Sequence, residues 1–177
     1  GADLGRLREP LDMLANVDAF GAPVATARFM GGREYAAIAG TPPAQPTAAA
    51  LAAVLEQGAM ALPSFAPAGP FNGQRGRLLN ADGLEAPERA ALASLYMALL
   101  TDFVLDALGM SGAVIVDGPL ATNPLYGPLL QGLRPEATVL HARSRTGAAL
   151  AARHLVQGRT LAPPPLQAVE VLAPAGL

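Results

Sequence analysis

The chain has 177 residues, enough for one domain with a core of its own, and its 19 glycines and 17 prolines forecast long irregular connections without the bias of a low-complexity chain. A net charge of −2 with only 15% charged residues supplies no basic footprint for nucleic acid, and the absence of cysteine excludes disulfides and thiolate metal sites. No segment resembles a signal peptide and no apolar run approaches the roughly 18 to 20 residues of a membrane span, so a cytoplasmic location away from any membrane is expected.

Residues 1 to 22 mix charged, apolar and turn-forming residues without a period. Val24 to Met30 alternates weakly, as a short strand does, and Gly31-Gly32 opens a helical stretch through Ile38. TPPAQP at 41 to 46 reads as a loop, followed by a helix from Thr47 to Gln57 that Gly58 stops. Two short strand candidates, 59 to 62 and 77 to 80, flank a loop dense in proline and glycine, PSFAPAGPFNGQRG.

The strongest periodicity runs from Pro87 to Leu108. Leu92, Leu95, Leu99, Phe103 and Leu108 recur at helical spacing, with Tyr96, Leu100 and Val104 widening the stripe. A strand at Ala113 to Val116, a helix from about Thr122 to Leu133, a strand at Thr138 to His141 and a helix from Gly147 to Val156 follow. That alternation predicts an α/β domain in which helices pack on a sheet with parallel strands. Beyond Gly158 the APPP run excludes helix, and residues 161 to 177 read as a proline-rich tail whose Leu166 to Leu172 could add an edge strand.

In open parallel sheets, ligands bind beyond the carboxyl ends of the strands, where N–H groups at a helix start meet an anion. VIVDGPLATNP, residues 114 to 124, has that grammar: a fully apolar strand, Gly118 at the turn, and Thr122 or Asn123 positioned to cap the next helix. Taken alone, the pattern is better accounted for by an ordinary turn between strand and helix. Gly31-Gly32 likewise suits either close approach of a ligand or a tight turn, and it matches neither a P-loop nor a GxGxxG fingerprint. Arg75 and Arg77 could meet an anion or simply face solvent. His141 and His154 are isolated, Asp102 and Asp106 sit one turn apart near a helix end, and no nucleophilic triad or metal cluster is visible.

Three segments in succession, RFMGGREY (28 to 35), LPSFAPAGPFNGQRG (62 to 76) and VIVDGPLATNPLYGPLLQGL (114 to 133), followed by TGAALAARHL (146 to 155), resemble the carboxyl-terminal domain of carbohydrate kinases of the FGGY family. The resemblance implies a ribonuclease H-like, actin-like ATPase domain over residues 1 to 160. It implies a cofactor pair of ATP and Mg, and an amino-terminal sugar-binding domain as partner that carries the catalytic aspartate. Gly118 corresponds to the first glycine of the family's adenosine segment and Asn123 to its asparagine. Pro119 replaces the second glycine and has no N–H to offer. Gly31 and Gly32 correspond to a glycine-rich turn facing the nucleotide, which Tyr35 would border.

Family members begin this domain with a hairpin whose Gly-Thr turn binds phosphate, and nothing before RFMGGREY has that pattern. The chain alone is therefore expected to be catalytically inactive. NVDAFG and FMGGREY most resemble the rhamnulose and fuculose kinase side of the family. The competing expectation is a degenerate, non-catalytic module serving assembly or regulation. An interdomain face exposed in the isolated half would also favour homo-oligomers.

Overall fold

The computed structural model describes residues 4–142, 147–157 and 166–172. After two 3-10 turns at Leu4–Arg6 and Glu9–Leu11, strands β1 (Met13–Val17) and β2 (Pro23–Ala27) form an antiparallel hairpin with Val17 opposite Pro23. Asp18 builds its turn, Oδ1 accepting from the N–H groups of Phe20 and Ala22 at 2.8 and 2.9 Å. A hairpin thus stands directly before RFMGGREY: its first strand lies in the stretch with no sequence period, and its second is the strand expected from Val24, ending at Ala27. Its turn reads Asp-Ala-Phe-Gly-Ala, so it does not supply a Gly-Thr pair.

Helix α1 (Gly31–Ala39) buries Ile38 completely, a burial that contributes about 1.5–3 kcal/mol. Helix α2 (Ala48–Glu56) starts where Thr47 Oγ1 accepts from Ala50 N–H at 3.1 Å, the hydroxyl satisfying a backbone donor that has no partner inside the helix. Strands β3 (Met60–Leu62) and β4 (Arg77–Leu79) pair antiparallel across the proline- and glycine-rich loop.

Helix α3 (Ala86–Leu108) is the spine of the core. Glu88 reaches back to accept the Glu85 N–H at 2.8 Å, and Gly109, left-handed at φ 66°, ends the helix. Its buried face is turned from the expected stripe: Leu92, Tyr96, Leu100 and Val104 are buried with Ala93 and Met97, whereas Leu99 and Phe103 are 48% and 39% exposed. Ala90, Ala91, Ala93, Ser94 and Ala98 let neighbouring helices approach closely, so this small-residue side turns inward ahead of bulkier Leu99. Phe103 packs instead on Phe71 of the long loop, ring centroids 5.0 Å apart.

Contrary to expectation, α3 is long and apolar enough to cross a membrane, with a mean hydropathy of 1.6. It packs against α1 and α2 and also against a later helix, α4 (Tyr126–Leu133), and its apolarity is that of a core helix.

Strand β5 (Ala113–Val116) runs parallel to β6 (Thr138–Ala142), and β7 (Leu166–Ala168) adds antiparallel to β6, giving a mixed three-stranded sheet. Among the described residues β5 pairs on one side only, and Ile115 is 54% exposed, so this apolar strand is not buried on both faces as expected. The helix expected from Thr122 starts later. A 3-10 turn spans Pro119–Thr122, and Asn123 then sits extended (φ −78°, ψ 120°), the conformation favoured for a residue preceding proline, so α4 waits until Tyr126. Helix α5 spans Gly147–Val156. Residues 143–146, 158–165 and 173–177, with Thr146 and the APPP run, lie outside the described residues.

Candidate functional site

Five of the six residues singled out from sequence line one cavity of about 410 Å³: Gly31, Gly32, Tyr35, Pro119 and Asn123. It lies beyond the carboxyl end of β5, between the start of α1, the loop at 43–46 and the 3-10 turn. Gly118 is not on its wall, although Asp117 and Pro119 on either side are. The 43–46 loop forms part of the wall, a role its proline-rich sequence did not signal.

The three glycines differ in what a side chain would meet. Gly118 adopts φ 78°, ψ −157°, a backbone region essentially restricted to glycine, while a Cβ there would meet nothing within 4 Å. Its N–H is held by the neighbouring Asp117 Oδ1 at 2.7 Å. At Gly31 a Cβ would lie 2.8 Å from Met97 Cε, so the tip of that buried methionine would have to shift. At Gly32 a Cβ would meet nothing within 4 Å, so its missing side chain leaves open space at the cavity. The first two N–H groups of α1, on Gly31 and Gly32, have no hydrogen-bond partner among the described residues, and they carry the positive end of the helix dipole.

Asn123 is fully engaged inside the protein. Its Oδ1 accepts from the N–H groups of Leu125 and Tyr126 at 2.9 and 3.1 Å, and its Nδ2 donates to Ser94 Oγ at 2.9 Å and Tyr35 Oη at 3.4 Å. Tyr35 and Ser94 in turn both donate to the Ala90 carbonyl, at 3.3 and 2.7 Å. The cavity floor is therefore a closed polar network joining α1, α3 and the entry to α4. Neither Asn123 nor Thr122 is the N-cap expected from sequence, since α4 is entered through Leu125; Asn123 instead bridges the turn ahead of the helix, while Thr122 Oγ1 donates to the Pro119 carbonyl at 2.8 Å.

A second network, not foreseen from sequence, holds α1 from below. Glu34 is 2% exposed; its carboxylate accepts from Ser64 Oγ (3.0 Å), the Phe65 N–H (2.8 Å) and Tyr96 Oη (2.9 Å). Three donors stabilise the buried carboxylate without a cation and fasten the long loop to α1 and α3. Burial foremost, and then the Glu34 carboxylate, push the Tyr96 phenol well above its usual range. The sequence signal was available, since an acid follows the glycine pair on a helix whose opposite side is apolar.

Other candidates lie elsewhere. Arg75 and Arg77 are exposed and off the cavity wall. His141 Nε2 and His154 Nδ1 are buried without hydrogen-bond partners among the described residues; desolvation lowers the His141 pKa, and neither histidine lines this cavity. Asp102 and Asp106 are not simply solvated: both accept from Arg134 Nη1, at 2.7 and 2.8 Å, while Nη2 donates to the Met110 carbonyl, clamping the C-terminal ends of α3 and α4 together. No group of three acidic or histidine residues suited to a metal occurs among the described residues.

A mixed three-stranded sheet packed with helices, with a cleft beyond the carboxyl end of β5, defines a mixed α/β domain. Residues 1–164 match the family described as carbohydrate kinase FGGY, C-terminal domain, and the chain belongs to that family. It is similar to the crystal structure of a carbohydrate kinase from Novosphingobium aromaticivorans, with 34% identity and a TM-score of 0.79 over 94% of this chain. The chain spans 38% of that protein's length. Comparison with curated proteins gives no significant match.

Proposed function

We propose that this domain is the nucleotide-holding half of a carbohydrate kinase, seating ATP in the 410 Å³ cavity while an amino-terminal domain presents the sugar hydroxyl that accepts the γ-phosphate. A ribonuclease H-like arrangement belongs to the same reading. The observation that carries it is the convergence of RFMGGREY and VIVDGPLATNP, far apart in sequence, on one cavity whose wall includes Gly31, Gly32, Tyr35, Pro119 and Asn123.

The chemistry of the wall fits a nucleotide. The unpartnered Gly31 and Gly32 N–H groups at the start of α1 suit a phosphate oxygen, and the space at Gly32 permits its approach. The rings of Pro43, Pro46, Pro119 and Pro124 offer apolar surface to a flat base. Asp117 is the one acid on the wall, and Mg²⁺ commonly takes one or two carboxylates together with phosphate oxygens. When bound with ATP, that ion neutralises charge on the transferring phosphoryl group.

In this reading transfer depends on closure of two domains over ATP and sugar, so the 177 residues alone bind nucleotide but do not phosphorylate. NVDAFG and FMGGREY favour a rhamnulose- or fuculose-type ketose as the acceptor. Calorimetric titration of the chain with ATP and magnesium tests the reading: saturable binding without hydrolysis or sugar phosphorylation is expected, and turnover of a ketose by the isolated chain contradicts it. Pro119 favours the second reading, a non-catalytic module, because the backbone donor a glycine would offer is missing there. Absence of binding at millimolar ATP supports that alternative.

A further inference from the structure

We draw no further inference here: the strongest candidate, the apolar groove of about 370 Å³ between α2 and α4 that is lined by Leu51, Leu55, Leu95, Leu129, Leu133 and Leu172, carries nothing because the structure does not show what covers it.

Discussion

Asn123 donates a 2.9 Å hydrogen bond to Ser94, tying the turn after β5 to the buried side of α3. With its two accepted backbone N–H bonds, this makes Asn123 a structural joint of the cavity floor. Asn123→Ala should destabilise the fold by about 2 kcal/mol, since it removes the acceptor of two backbone N–H groups and the donor to buried Ser94. Asn123→Asp keeps the acceptor for Leu125 and Tyr126 and should recover part of that loss. Chemical denaturation checks both, and an unchanged midpoint in Asn123→Ala would show that its amide is not holding the turn.

The glycines separate structural from ligand roles. Gly118→Ala should cost about 1–3 kcal/mol through backbone strain alone, because its space is open but its conformation is not. Gly32→Ala, in helical conformation and open space, should leave stability level or raise it by less than about 1 kcal/mol. It should nonetheless weaken ATP binding, since the added methyl occupies the cavity by the free N–H groups. Thermal unfolding and calorimetry on the same samples decide; equal ATP affinity in Gly32→Ala and wild type would place the phosphates elsewhere.

Stability should fall at both ends of the pH scale. Desolvation lowers the His141 pKa from 6.5, so the fold favours the neutral ring; its contribution is complete above about pH 6.5 and is lost as pH falls through the folded value. The raised phenols of Tyr96 and Tyr126 act oppositely, their contribution being complete below about pH 10 and lost as pH rises beyond it. Urea unfolding from pH 5 to 11 should show both limbs, with His141→Gln flattening the acid one and Tyr96→Phe reducing the alkaline one. An acid limb unchanged in His141→Gln would exclude this histidine as its source.

Much of this organisation was legible because local signals agreed. Thr47, Gly58 and Gly109 bounded α2 and α3, and β5 and β6 followed from apolar runs between turns. Other features depended on tertiary partners. The inward face of α3 was set by where alanines allow close approach, not by where leucines recur. The first hairpin has a largely exposed strand, MLANV, without burial alternation, held by the Asp18 turn and the Arg28–Asp12 ion pair at 2.9 Å. At the site, the glycine pair and Asn123 were found in sequence because their type is unusual at such turns. Whether an amide is spent inside the protein is invisible there, and Asn123 stood out although its amide is fully engaged.

Exposed apolar side chains predict self-association. Phe20 at the hairpin turn is 82% exposed and Val17 66%, while Ile115 stands 54% exposed on the strand that, among the described residues, pairs on one side only. Sedimentation should show mass rising with concentration, and Phe20→Ser with Val17→Lys should suppress it. A clean monomer at high concentration would count against this.

The account's central claim, that a nucleotide lies across the start of α1 and the turn after β5, is met most directly by amide NMR of the labelled chain titrated with magnesium ADP. The Gly31, Gly32, Gln45 and Gly118 amide resonances should move together and saturate on one binding curve. Resonances at the distant Arg134 clamp should stay in place. Saturable shifts confined to other residues, or none at millimolar nucleotide, would contradict the claim.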